Sequence, residues 1–384
     1  MLRKLAVKSE TLRIAYIVYQ FDTGGLEHCV ARLVNHLDPE HFEPMIVSLT
    51  SLGEAKSWIA SSETKVVALD KPIGNSFSVI HGLTRLLREN QIDLVHSHGW
   101  GTIWETIIAK RCAGVKTHVH AERGTVFEPH QLQSWRHPIR ARAMKIALGR
   151  ADSVISVADA TRHTVSELTS FPREQIQVIP NGVDAPTAGN CHAVKRFLGI
   201  DPDTMVIGTI GRLSDVKQFD RLISAFQIVR EQLPHVNLLI VGDGPRRASL
   251  ERHANALGVA PFVHFAGNQN DVGSWLSCMD VYVNSSRSEG MSQAVLEALS
   301  LGIPCVVTDV GDHANVIGQA GCECGMVVPP ECSEALSRAV VQMLQDDAMR
   351  DQFSVAAKAN FKHNYGVGRM VRDYESLYGR VCSR

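Results

Sequence analysis

The chain predicts an α/β fold of two successive parallel-sheet domains, and three observations carry that expectation. Short β-branched runs alternate with helical-period segments from one end to the other, the runs are apolar on both faces, and the alternation pauses once, near the middle, on strong turn residues. Strands apolar on both faces and separated by helices belong to a parallel sheet covered on both sides. A length of 384 residues is comfortable for two such domains.

Taken in order, Arg13–Tyr19, Pro44–Leu49, Lys65–Leu69, Leu94–His96, Thr117–His120, Ser153–Val157 and Gln177–Ile179 read as strands. Between them, Glu27–Leu37 and Val79–Glu89 carry apolar residues three or four apart, the period of an amphipathic helix. The pause is Ile179-Pro180-Asn181-Gly182-Val183-Asp184, polar onward to Asn190. Pro fixes φ there and Asn-Gly tolerates positive φ, so the domain junction belongs at this point. The alternation restarts with strands Val206–Ile210, Val236–Val241, Val263–Phe265, Val281–Asn284 and Cys305–Thr308, and with helices Phe219–Gln232 and Ala294–Leu301. The expected division is residues 1–183, residues 184–365, and a C-terminal helix, 366–384, packing back toward the first domain. Two such domains place a cleft between the C-terminal edges of their sheets, where open α/β sheets bind ligands.

Composition narrows the function. Hydrophobic residues at 45% and a net charge of −1 exclude a disordered chain and give the whole molecule no electrostatic reason to bind nucleic acid. Both halves stay close to neutral when the chain is divided near Asp184. No apolar run reaches the length of about 18 residues that a spanning helix needs. The start, MLRKLAVKSETLR, is too charged for a signal peptide and reads as a polar lead-in. Nine scattered cysteines, an odd number, argue for reduced thiols and so for a cytoplasmic protein. Cys322, Cys324 and Cys332 have the wrong spacing for a zinc site, so no metal is expected. Residues 136–150 carry five cations and no acid, with Ile139, Ala143, Ile146 and Ala147 on one helical face. Such a segment either packs against the core or lies on an anionic membrane surface.

Three loops carry the chemistry. Gly24-Gly25 follows the first strand and opens a helix, letting backbone N–H groups approach an anion. Gly211-Arg212-Leu213-Ser214-Asp215-Val216-Lys217 follows the first strand of the second domain. Its Arg offers a bidentate fork and its Lys a mobile charge to a diphosphate. The third is Ser288-Glu289-Gly290-Met291-Ser292, leading into a helix that carries Glu297. A helix starting near Met291 puts backbone amides of Gly290–Ser292 between two acids, one for sugar hydroxyls and one for ribose hydroxyls.

GRLSDVK, VGDGP, FAGNQNDV and SRSEGMSQAVLEALSLGIPCVVTDVG, together with the IPNGVD junction and the GG loop, resemble the ordered motif series of the GT-B glycosyltransferases of family 4 over nearly the whole chain. The resemblance implies two Rossmann-like domains facing across a cleft. It also implies a nucleotide-sugar donor, UDP-sugars favoured, and a glycan or lipid-linked acceptor in surface polysaccharide or glycoconjugate assembly. By the same resemblance Arg212 and Lys217 hold the diphosphate beside Gly24, Gly25 and Gly211. Glu297 takes the ribose, Glu289 the donor sugar with the backbone of Gly290, Met291 and Ser292, and the backbone at Gly267-Asn268 the base. His120, in THVHAERGT, matches a histidine close to the transferred sugar; His98 and Arg123 are candidates for the acceptor side. One departure stands out: where the family often has Gly-Gly-x-x-Glu, this chain reads Gly311-Asp312-His313-Ala314-Asn315.

The linkage the family forms keeps the donor's anomeric configuration, so the implied mechanism is a front-face displacement without metal or other cofactor. The protein orients the substrates and stabilises charge on the leaving diphosphate. The only Asp-x-Asp, Asp201-Pro202-Asp203, lies before a strand and away from the ligand edge. Alternatives are a sugar-nucleotide 2-epimerase, which needs no acceptor, and a non-catalytic nucleotide-sugar binder, which has no need of all four side chains Arg212, Lys217, Glu289 and Glu297.

Overall fold

A computed structural model describes residues 11–72, 76–124, 137–318 and 323–383. The lead-in as far as Glu10, Arg136 of the basic segment and Cys322 lie outside them. The chain divides into two compact units, one of residues 1–181 with 367–384 and the other of 182–366.

The first unit holds seven parallel strands: β1 Leu12–Val18, β2 Phe42–Ser48, β3 Val66–Ala68, β4 Leu94–His98, β5 Thr117–Glu122, β6 Ser153–Ser156 and β7 Ile176–Val178. Their order in the sheet is β3-β2-β1-β4-β5-β6-β7, so the winding reverses between β1 and β4. The helix Val367–Cys382 belongs to this unit. Met370, Val371, Tyr374, Leu377 and Tyr378 pack with Ile14, Tyr16 and Val18 of β1 and with Cys29, Val30 and Leu33 of the helix Gly25–His36. The phenols make polar contacts within this apolar layer. Tyr378 OH lies 3.0 Å from Tyr16 OH and 2.8 Å from His96 Nδ1.

The second unit holds β8 Met205–Ile210, β9 Val236–Val241, β10 Val263–Gly267, β11 Val281–Asn284, β12 Cys305–Thr308 and β13 Gly325–Val328, in the order β10-β9-β8-β11-β12-β13. Sequence patterning missed β13, a four-residue strand with two of its residues only partly buried. This sheet reverses between β8 and β11, and in a doubly wound sheet the loops leaving the strands on either side of the reversal flank the ligand crevice. Its core joins Ile207, Leu238, Ile240, Val281, Val283 and Val306 to Phe219, Leu222 and Phe226 of the helix Phe219–Gln232. Cys324 is buried, and Cys332 caps the helix Ser333–Gln345 by accepting from the Ala335 N–H at 3.4 Å.

The helix His137–Leu148 turns Met144, Ala147 and Leu148 into a cluster with Ile103, Val154, Val165 and Phe171. The expected apolar face is thereby split. Ala147 is in the core, whereas Ile139 and Ile146 point outward, 63% and 47% exposed. No helix among the described residues is long and apolar enough to cross a membrane.

Candidate functional site

The two loops that leave β8 and β11 meet through one ion pair. Lys217 Nζ lies 2.5 Å from Glu289 Oε1, both side chains largely enclosed. The same oxygen accepts from Ser286 Oγ at 2.9 Å and from Asn284 Nδ2 at 3.4 Å. All of these bonds converge on Oε1, and Oε2 has no partner among the described residues. Burial alone pushes the Glu289 carboxyl upward, but the Lys217 charge and hydrogen bond outweigh it, with His313 and Ser286 adding to the same effect. The carboxylate therefore stays ionised, below the usual range.

Asn284 shapes the loop beyond it. Its Oδ1 accepts from the Ser286 N–H at 3.0 Å, and its Nδ2 reaches Ser292 Oγ at 3.3 Å. Ser285 Oγ donates to the Lys217 carbonyl at 2.8 Å, stitching the β11 loop to the β8 loop. The helix begins at Gln293, one residue before the predicted Ala294–Leu301 segment and two after Met291, so Met291 and Ser292 belong to the buried approach and Glu297 to the second turn. Both Glu289 and Glu297 act electrostatically on the buried Tyr282 phenol. Arg212 is exposed beside the strand end, its guanidinium unpaired among the described residues. Gly211 fits closely under the β9 turn; a Cβ on Gly242 would stand 2.2 Å from its carbonyl oxygen. Gly267 closes β10 at the edge of the sheet, where its carbonyl accepts from the Gly242 N–H at 2.8 Å, and Asn268 beside it is exposed.

The remaining sequence candidates lie in the first unit. Gly24 precedes the helix Gly25–His36, and Glu27 folds back over it: a Cβ on Gly24 would meet Glu27 Oε2 at 2.3 Å. The protein's own carboxylate thus stands at the helix start where an incoming anion was expected. Burial pushes the Glu27 carboxyl upward.

Strand alternation sorts the histidines. Residues two apart share a face, so His96 and His98 take one face of β4 and Ser97 the other. Ser97 pairs in register with His120, which puts His118, His120 and Glu122 on the Ser97 face. Ser97 Oγ is 2.7 Å from both His118 Nε2 and His120 Nδ1, and His120 Nε2 is 3.1 Å from Glu122 Oε1. His120 is 0% exposed and both its nitrogens are occupied. On the other face, Arg123 Nε donates to His98 Nδ1 at 3.0 Å. The proton of the neutral His98 ring then sits on Nε2, which has no partner among the described residues. Burial, first, and neighbouring positive groups hold His98 well below the usual imidazole range, so it is neutral.

Sequence reasoning missed Asn284, Ser286 and His313. Asn-Ser-Ser at the end of a strand is turn chemistry, and that signal pointed to the first two. Among the described residues no group of three or more His, Cys, Asp or Glu side chains is arranged to hold a metal ion.

Two family models match the chain: one described as glycosyl transferases group 1 over residues 192–360, and one described as Glycosyltransferase Family 4 over residues 23–186. The chain is 25% identical to a 2-deoxystreptamine N-acetyl-D-glucosaminyltransferase of Streptomyces fradiae, over 94% of this chain and 93% of the relative. It is 28% identical to an Escherichia coli UDP-Gal:alpha-D-GlcNAc-diphosphoundecaprenol alpha-1,3-galactosyltransferase, over 77% of each. Its fold is similar to that of Anabaena HepE, solved in complex with UDP-glucose, with a TM-score of 0.82 at 20% identity over 96% of this chain and 100% of the other.

Proposed function

This chain belongs to the GT-B glycosyltransferases of the family 4 type, and we propose that it moves a sugar from a nucleoside-diphosphate sugar, UDP-sugars preferred, onto a hydroxyl of a glycan or lipid-linked acceptor in surface glycan assembly. The observation that carries the donor reading is the Glu289 carboxylate: fixed through Oε1 by Lys217, Ser286 and Asn284, it keeps Oε2 for a ligand at the switch point of the second sheet. The UDP-Gal named for the Escherichia coli relative and the UDP-glucose bound to HepE support the choice of base.

In the proposed reaction the acceptor oxygen forms a bond to the anomeric carbon on the face from which the diphosphate leaves. The bond between that carbon and the phosphate oxygen breaks, and the acceptor's proton passes to the departing phosphate. Configuration is retained and a nucleoside diphosphate is released. Glu289 orients the sugar and Glu297 the ribose. Lys217, Arg212 and the amides at the start of the helix Gln293–Leu301 stabilise the negative charge that grows on the leaving group, a task a divalent cation performs elsewhere. On the acceptor side, Arg123 directs donors from all three of its nitrogens into the first unit, and the His98 Nε2–H, without a partner among the described residues, is the donor that meets a hydroxyl. His120, enclosed between Ser97 and Glu122, acts through position.

The test is nucleotide release from UDP-, GDP- and ADP-sugars, with and without lipid-linked and free glycan acceptors. The expected outcome is acceptor-dependent release from a UDP-sugar, unaffected by EDTA, with the product anomer matching the donor by NMR. Sugar-nucleotide turnover without any acceptor favours the epimerase. Activity abolished by EDTA and restored by Mg²⁺ removes the metal-free mechanism.

A second contact belongs to the same reading. Ile139 and Ile146 project outward beside exposed Arg142, Lys145 and Arg150, an apolar and cationic surface suited to an anionic leaflet. Each cation near such a surface adds on the order of 1 kcal/mol. Co-sedimentation with vesicles containing phosphatidylglycerol is expected, fading with salt and lost in an Ile146→Ser/Arg142→Ala/Lys145→Ala variant. No binding to these vesicles at low salt rules the contact out.

A further inference from the structure

His313 follows β12, in the segment where this chain departs from the resembling pattern, and no sequence motif singles it out. Its ring is 1% exposed. Nδ1 lies 2.9 Å from the Thr308 carbonyl, and because a carbonyl only accepts, Nδ1 carries the proton. In the neutral ring Nε2 is then a lone-pair acceptor, and it has no partner among the described residues. Buried polar atoms are normally paired, so an enclosed acceptor of fixed direction is open to a partner that the described residues do not supply.

The surroundings say which group. The loop carrying His313 is fastened to the Glu289 loop. The Asp312 N–H donates to the Gly290 carbonyl at 3.2 Å, and Gly311, at φ +57°, lies so close that a Cβ would stand 2.4 Å from the Glu289 carbonyl oxygen. The charged groups that act on the ring are Glu289, Lys217 and Asp312. Burial holds the ring below the usual imidazole range, only partly countered by Glu289, so the neutral acceptor form persists. Thr308 completes the frame, its Oγ1 donating to the Ser286 carbonyl at 2.6 Å.

We propose that His313 is a second sugar-binding group of the donor site and a determinant of sugar specificity, its Nε2 accepting one hydroxyl of the transferred sugar while Glu289 Oε2 accepts another. The proposal rests on the reading of Glu289 as the sugar ligand. Two acceptors held at a fixed separation read relative configuration. An epimer with one hydroxyl inverted leaves one acceptor buried and unpaired, which a site built for hydrogen bonding rejects strongly.

The chemistry of the two ring nitrogens supplies the test. Asn at 313 keeps an amide donor where Nδ1 stands and removes Nε2; Gln reaches the Nε2 position and gives up the bond to Thr308. The probes are UDP, GDP and ADP and their hexose derivatives, and calorimetry gives the ratio of affinity for the sugar nucleotide to affinity for the bare diphosphate. His313→Asn is expected to lower that ratio about tenfold without changing diphosphate binding, and to relax the epimer preference in kcat/KM. His313→Gln is expected to keep most of both. A purely structural histidine gives the reverse order, Asn tolerated and Gln impaired, and overturns the proposal. If Glu289→Gln lowers the ratio and His313→Asn does not, the donor reading stands and His313 falls; if wild type binds none of the sugar nucleotides, both fall. Should His313→Asn fail to fold, monodeoxy donors decide with wild type. Two separate hydroxyls must each matter about tenfold, and a single sensitive hydroxyl overturns the proposal.

Discussion

Replacing Lys217 with methionine is expected to cost at least about a hundredfold in kcat/KM and to move the acid limb of the pH–rate profile upward. The first effect is the loss of a cation aimed at charge that develops on the leaving diphosphate. The second follows from Glu289. Its folded pKa is depressed, so its ionised form is present at neutral pH and is lost only as pH falls through that low value. Burial works in the opposite direction and is restrained chiefly by Lys217. Without the lysine, burial prevails, the carboxyl titrates at higher pH, and activity fades earlier on acidification. Methionine keeps the length of the side chain, so the fold is expected to survive. Wild-type turnover in Lys217→Met, or an acid limb that stays in place while activity falls, contradicts the coupling of these two groups.

Arg123→Met is expected to destabilise the first unit by about 3 kcal/mol and to raise amide hydrogen exchange in the helix Val367–Cys382. The guanidinium is enclosed and donates to His98 Nδ1, to Asn181 Oδ1 at 3.1 Å, to Cys29 Sγ at 2.7 Å and to Tyr374 OH at 3.2 Å. One side chain after β5 thus joins β4, the junction, the helix Gly25–His36 and the C-terminal helix. Removing it strands His98 Nδ1 and the Tyr374 hydroxyl, each costing roughly 1–3 kcal/mol when left buried without a partner. Asn181 Oδ1 is spared, because it also accepts from the Cys29 thiol. Urea denaturation and hydrogen exchange are the measurements. An unchanged midpoint with an unchanged helix would show that the apolar packing of Met370, Val371 and Leu377 holds this seam without the arginine.

The candidate site was readable in parts. Arg212, Lys217 and Glu289 are visible because charged residues in the loops that leave apolar strands, at glycine-marked turns, have few structural reasons to be there; Glu297, in the second turn of the helix that follows, is marked by its spacing from Glu289 and by the resemblance. That Lys217 and Glu289 form one ion pair was not visible. The loops lie 72 residues apart in sequence, and only the sheet order β8-β11 brings them together. His313 was unreadable for a related reason. A histidine opening a short helix has no pattern of its own, and its meaning comes from the Thr308 carbonyl that fixes one nitrogen and the enclosure that leaves the other unpaired.

The sequence by itself determined that the chain is two parallel-sheet units. Hydrophobic periodicity is local, and strands apolar on both faces have no other stable arrangement between helices. It also placed the glycosyltransferase motifs at strand ends, since each motif follows its strand directly. The tertiary structure alone decided which histidines share a face. His98 ends β4 and His120 lies two residues before the end of the neighbouring β5, and the two read alike in sequence, yet the β4–β5 register turns one toward Arg123 and the other toward Ser97 and Glu122. It likewise decided that Ile139 and Ile146 face outward while Ala147, on the same predicted stripe, enters the core. In both cases the deciding quantity is the partner surface: periodicity says which residues point the same way, and only a neighbouring strand or helix says what lies there.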